Sequence, residues 1–119
     1  MTVNNYNLDK IELEHGIVLP TTYKKFYARC KKAIPKKLIG TDLLHEYPDL
    51  NKWACELLEE NQLDNFLKKD DFVFMMHQGY LFWYFKANGT DNPMVYGFNE
   101  VDKIPKQISP LSDFLSQYL

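Results

Sequence analysis

The sequence predicts an α+β fold: an antiparallel β-sheet meander flanked by N-terminal and C-terminal helices. Three observations carry this. Apolar residues recur at helical spacing as far as about residue 67, β-favouring aromatic runs separated by turn sequences fill residues 72–98, and helical spacing returns at the C-terminus. The 119 residues suit one domain spanning 1–119, and 45% hydrophobic content is enough for a core. The unusual figure is the 15% aromatic share, which supplies large contact area per residue in a core or at an interface.

The first helix is expected over residues 7–15, capped by Asn7, with Leu8, Ile11 and Leu13 on its apolar side and Gly16 ending it. A second begins at Pro20, a residue suited to a first helical turn, and runs to Lys32. Tyr23, Phe26, Tyr27 and Cys30 share one face of it, and lysines and an arginine occupy the rest. Pro35 and Gly40 interrupt the helical pattern between 33 and 44, where Leu38-Ile39 is expected to form a short edge strand. A third helix starts near Pro48-Asp49 and places Leu50, Trp53, Ala54, Leu57 and Leu58 at helical spacing, with acids at both ends. Leu63, Phe66 and Leu67 extend the helical signal by a turn or two.

Residues 72–77 and 80–85 read as a hairpin around Gln78-Gly79, and residues 93–98 as a third strand opened by Pro93, where proline costs no ladder bond. In that register His77 faces Tyr80, Met75 faces Phe82 and Val73 faces Tyr84 on one side of the sheet. Phe72, Phe74, Met76, Leu81, Trp83 and Phe85 form an apolar set on the other, so Trp83 and Phe85 are expected in the core. The first set mixes apolar bodies with polar tips, which suits either a face covered by another helix or a contact surface. Ser109 is expected to cap a last helix with Pro110 at its first position and Leu111, Phe114, Leu115 and Tyr118 on one side.

Several function classes are disfavoured. His15, His45 and His77 lie at no metal-ligand spacing to one another or to Cys30 and Cys55, so neither a metal nor another cofactor is expected. Neither a nucleophile elbow nor a phosphate-binding glycine loop is present, and the reading is non-enzymatic. No window reaches the roughly 18 apolar residues of a membrane span, and the polar first ten residues do not resemble a signal peptide; a cytoplasmic protein is expected. The charges are segregated. Residues 21–37 carry seven basic residues and no acid, whereas residues 42–71 carry nine acids against three lysines, although the formal charge is only −2. The two segments either attract one another as solvated helix faces or present opposite fields to partners. Lysines and exposed aromatics are not interleaved, which argues against direct nucleic-acid binding.

The run Ile11-Glu12-Leu13-Glu14-His15-Gly16-Ile17-Val18-Leu19-Pro20, followed by Tyr23, Lys24 and Phe26, resembles the opening I-E-x-x-E-x-x-x-G-x-x-L-P-x-x-Y-x-x-F of the SUKH superfamily (SMI1/KNR4-like), with tighter spacing between the acids and Gly16. His77-Gln78-Gly79-Tyr80, Asp91-Asn92-Pro93-Met94-Val95-Tyr96 and Glu100 resemble the H-Q-G-Y, D-x-P-x-V-Y and x-x-E signature of one of its branches. The resemblance spans roughly residues 8–119. It implies an α+β fold without catalytic activity: bacterial members are mostly immunity proteins against toxins, many of them nucleases or deaminases, and fungal relatives are regulatory scaffolds. The expected function is therefore a protein-binding domain that blocks a cognate toxin. The alternatives are an intracellular scaffold with no toxin partner and a small hydrolase with an unrecognised site. The expected partner-binding residues are His77, Gln78 and Tyr80 at the hairpin tip, with Tyr84, Tyr96 and Glu100, and secondarily Glu56, Glu59 and Glu60 of the acidic helix.

Overall fold

The computed structural model describes residues 8–43, 50–78 and 80–118; the expected Asn7 cap, the Pro48-Asp49 helix start, His45 and Gly79 lie outside them. Within these residues the order is α1 (Leu8–His15), α2 (Thr21–Lys32), a 3₁₀ turn (Lys36–Leu38), β1 (Thr41–Leu43), α3 (Leu50–Glu60), β2 (Asp71–His77), β3 (Leu81–Lys86), β4 (Met94–Asn99), β5 (Lys106–Pro110) and α4 (Leu111–Ser116). The strands form one antiparallel sheet in the order β1-β2-β3-β4-β5. The expected α+β architecture is the observed one, with helices at both ends of the chain.

The opening residues work as joinery. Gly16 adopts φ +65 at the end of α1, and the Ile17 N–H reaches back to the Glu12 carbonyl at 3.1 Å, closing the helix with a left-handed residue. The Glu12 carboxylate accepts the Leu19 N–H at 2.7 Å and pairs with Lys24 at 3.3 Å, which sets the angle between α1 and α2. Val18 bonds the Ala87 carbonyl at 2.9 Å, so the connector is stitched to the far end of β3. Pro20 is the N-cap of α2, and Tyr23, Phe26, Tyr27 and Cys30 are buried as expected. Leu13, in contrast, is exposed: the apolar residues of α1 that pack on the core are Leu8 and Ile11.

Both faces of the sheet are covered. On one, the Tyr23 ring lies 5.4–6.0 Å from Phe72, Phe74 and Phe85, and Phe114 of α4 meets Phe74 edge-on at 5.7 Å. On the other, α3 turns in Leu50, Ala54, Leu57 and Leu58, and Phe66 lies over Phe82, Tyr84 and Phe98 at 5.8–6.4 Å. Residues 63–67 form no helix: they run irregularly, with Asn65 accepting the Leu67 N–H at 3.0 Å, and Phe66 covers the strands that α3 leaves bare. Of the two readings of this face, the covered one holds.

The hairpin differs from expectation by one residue at its tip. The observed partners are His77–Leu81, Met76–Phe82 and Met75–Trp83, so the connection spans 78–80 rather than two residues. A bulge at Phe74 absorbs the extra residue and restores Val73–Tyr84 and Phe72–Phe85. Met75 therefore shares the Trp83 face and Met76 the Phe82 face, the reverse of the simple alternation. Phe85 is fully buried, but Trp83, whose ring lies 5.9 Å from Phe114 of α4, is only partly so.

Two strands were not expected where they are. Leu38 belongs to the 3₁₀ turn and is buried, while Ile39 is exposed; the edge strand is the following Thr41–Leu43, too short to show alternation. Ser109 lies in β5 opposite Val95 and does not cap α4. The Asn92 side chain does so from the β3–β4 connection, accepting the Ser112 N–H at 2.8 Å and donating to the Ser112 hydroxyl at 3.0 Å, and the Pro93 carbonyl takes the Leu111 N–H.

Beyond the three-residue β1, Asn51 serves as a substitute strand for β2. Its amide donates to the Asp71 carbonyl at 3.0 Å and accepts the Val73 N–H at 3.0 Å. Asp71, the buried charged residue of the described core, accepts from Lys86 at 2.9 Å and from the Lys68 N–H at 2.7 Å. Asn51→Ala strands two buried backbone groups and should cost about 1–3 kcal/mol in urea denaturation. Phe85→Ala should cost about 3–5 kcal/mol and half-buried Trp83→Ala less; the reverse order would refute the observed register.

Burial raises Tyr23 well above its ordinary value of 10.0, pushes Tyr84 up to about 12 with help from Asp71 and Tyr96, and raises Tyr118. Hydrogen bonding to Asp71 raises Lys86. An unfolded chain releases these protons first, so the stability they contribute is whole below about pH 10 and is lost as pH climbs towards 12. Tyrosinate absorbance and circular dichroism should change together there, with Tyr84 titrating only as the protein unfolds.

Candidate interaction surface

The hairpin tip, the β4–β5 turn and the C-terminal end of α3 lie at one end of the sheet. The Glu100 N–H donates to the Tyr80 carbonyl at 3.2 Å, extending the β3–β4 ladder past Leu81–Asn99. Asn61, at the end of α3, reaches the Glu100 carboxylate in a long 3.5 Å contact and also donates to the Leu57 carbonyl at 2.9 Å. Asn99 fixes the turn beyond Glu100, accepting the N–H groups of Val101 and Asp102.

His77 is half-buried. Its Nδ1 is 3.3 Å from the Thr41 hydroxyl, and its ring meets Tyr80 edge-on at 5.9 Å, so it positions Tyr80 at the rim. Gln78 is exposed and takes φ +49 at the turn. Tyr80 is 37% exposed, an aromatic body resting on the fold with a solvent-facing side. Tyr84 is buried: it lies beneath Phe66 and stacks on Tyr96 at 5.6 Å, and so serves the surface only as support. Tyr96 is half-buried on β4, apart from the hairpin tip.

The acidic helix contributes what the sequence reading underused. Glu56 and Glu60 line a shallow groove of about 200 Å³ with Trp53, Leu57 and Met76. Trp53, expected on the buried side, is 38% exposed, because spacings of three and seven residues align it with Glu56 and Glu60 at the edge of the apolar stripe. That spacing was the signal available in the sequence. Glu59 is exposed but does not line the groove. Asp42, paired in register with Met76, adds a carboxylate whose pKa burial raises and His77 partly lowers.

Acids in the last turn of a helix oppose the negative end of its dipole, at a cost of about 0.3–1 kcal/mol each. Here the last turn of α3 holds Glu59 and Glu60 and no basic residue. The helix closes on Gln62 at φ +60, with Leu63 bonding Leu58 and Gln62 bonding Glu59. The dipole and the carboxylates thus add to one negative field around an exposed tryptophan. α2, which carries the basic run, packs on the opposite face of the sheet through Tyr23. The sheet separates the two charged helices, so the expectation that they attract one another side by side is corrected. Among the described residues no three His, Cys, Asp or Glu side chains are grouped to hold a metal ion, and no helix is long and apolar enough to cross a membrane.

In a Trp83→Phe background, caesium should quench Trp53 fluorescence at least about twofold better than iodide, since the acids attract the cation and repel the anion. Glu56→Gln with Glu60→Gln should abolish the difference; equal quenching before that change would show that the groove carries no such field.

The family model described as SMI1 / KNR4 family (SUKH-1) matches residues 2–117. Neither a curated protein nor a solved structure matches the chain.

Proposed function

Because the chain belongs to the SMI1/KNR4 family (SUKH-1), we propose that it is a non-enzymatic, cytoplasmic protein-binding domain acting as a bacterial immunity protein against a cognate toxin. The observation that carries this is the acidic, tryptophan-bearing groove on α3, set at the same end of the sheet as Tyr80 and Glu100. A toxin that processes nucleic acid, a nuclease or a deaminase, has a cationic substrate cleft. Carboxylates at Glu56 and Glu60 stand in for phosphates, while Trp53 and Tyr80 supply desolvated anchors. Blocking such a cleft requires a rigid surface rather than chemistry. The hydrogen-bonded turn at Asn99 and the two-sided packing of β2 favour that rigidity.

The roles divide by physics. Long-range attraction sets the association rate and is screened by salt, whereas buried aromatic contact sets residence time. His77 and Gln78 frame Tyr80 and Glu100 forms the flank; Tyr96, apart from the tip and stacked on its cross-strand neighbour Tyr84, lies at the margin of the surface, and Glu59 adds to the field without direct contact.

The test is capture of the protein encoded by the adjacent gene, followed by binding kinetics. Glu56→Lys with Glu60→Lys should slow association about tenfold and flatten its salt dependence. Tyr80→Ala should raise the dissociation rate about tenfold, equivalent to about 1.4 kcal/mol. A partner indifferent to both changes binds another surface. Failure to capture any toxin, with capture of a cellular protein instead, would favour a regulatory scaffold.

A further inference from the structure

The other face of the molecule holds a groove that the toxin-binding reading does not use. It lies between α2 and α4, measures about 300 Å³ and is lined by Lys25, Phe26, Arg29, Ser112, Leu115 and Ser116, among others. Its two sides differ in chemistry. Lys25 and Arg29, one helical turn apart, form a cationic wall that Lys32 continues along the exposed side of α2. Ser112 and Ser116, again one turn apart, place hydroxyl groups along α4. Phe26 and Leu115, 4% and 2% exposed, close the floor. Among the described residues, the α2 cation paired with a carboxylate is Lys24, on Glu12 and outside the groove.

A free inorganic anion would satisfy the wall and ignore the floor. Single-stranded nucleic acid needs exposed rings on which bases stack, and the ring in this groove is buried. A short acidic peptide can set its carboxylates on the cationic wall and drop one side chain onto the apolar floor. We propose that the α2–α4 groove binds an acidic peptide segment bearing one large apolar side chain, its carboxylates on Lys25 and Arg29 and its apolar group over Phe26 and Leu115. Because the sheet lies between this groove and the acidic surface of α3, both sites can be occupied at once. The proposal does not rest on the toxin reading.

The experiment is fluorescence anisotropy of a labelled pentapeptide, four glutamates around a central phenylalanine, titrated with the full chain. Saturable binding that weakens as salt rises is expected. Lys25→Gln with Arg29→Gln, both exposed positions, should weaken it about fivefold or more, as should replacing the peptide's phenylalanine by alanine. Ser116→Trp, which fills the groove without removing charge, should have a similar effect, whereas Glu56→Lys with Glu60→Lys should leave affinity no weaker. No saturation at millimolar protein, or binding indifferent to both groove variants, would overturn the proposal. So would tighter binding of a single-stranded oligonucleotide that is lost in the Lys25→Gln, Arg29→Gln variant, which would make this a nucleic-acid site.

Discussion

β2 must satisfy backbone groups on both edges and side chains on both faces while its neighbour β1 reaches only its last three residues. All but the final residue of β2 are buried, so no water is at hand to serve the unpaired amides. Asn51 resolves this by presenting a side-chain amide where a strand would have run. That fixes the first turn of α3 against the sheet, and the rest of the helix follows: Leu57 over Met76, the groove beside it, and Asn61 beside Glu100. The Asp71–Lys86 pair holds the same end of the strand from its other edge, with Lys86 reaching from β3 to a carboxylate that also binds the Lys68 N–H. The position of the acidic surface is therefore a consequence of how one central strand is completed.

The stretches that carry the family resemblance are mostly structural. Glu12, Gly16, Pro20, Tyr23 and Phe26 lock α1 and α2 together and onto the sheet. Asn92 and Pro93 cap the N-terminus of α4, and Val95 is fully buried. Of these motifs, Gln78, Tyr80 and Glu100 reach the surface at the end where α3 finishes. The motifs thus account for the scaffold, and the charged residues that line the grooves, Lys25, Arg29, Glu56 and Glu60, lie outside them.

Charge segregation has a further effect. With a basic helix on one face and an acidic helix on the other, the molecule has a field far larger than its formal charge of −2 suggests. Partners of opposite sign are steered to opposite faces, and the sheet's thickness, comparable with a Debye length at physiological salt, keeps the two fields from cancelling nearby.

The sequence by itself determined the α+β class, the burial of Tyr23, Phe26, Tyr27 and Cys30, and the β2–β3–β4 meander. In each, a local period matches the face that must be buried, and local periods are visible in a single chain. It did not determine the one-residue offset at the hairpin, because a bulge at Phe74 is set by how two strands fit around Tyr23 and Phe85. Nor did it reveal β1, the irregular 63–67 segment or β5. Three residues cannot show a period, Phe66 follows the faces of other strands, and β5 is an exposed edge whose register comes from β4 alone. Of the candidate surface, Tyr80, Glu56 and Glu60 were legible as exposed aromatic or acidic groups. Tyr84 was not recognisable as buried, and although the spacing of Trp53 to Glu56 and Glu60 was visible, the groove that Leu57 and Met76 complete around it was not. Which side chains of an amphipathic element meet solvent depends on how far its neighbours reach, and only the tertiary structure decides that.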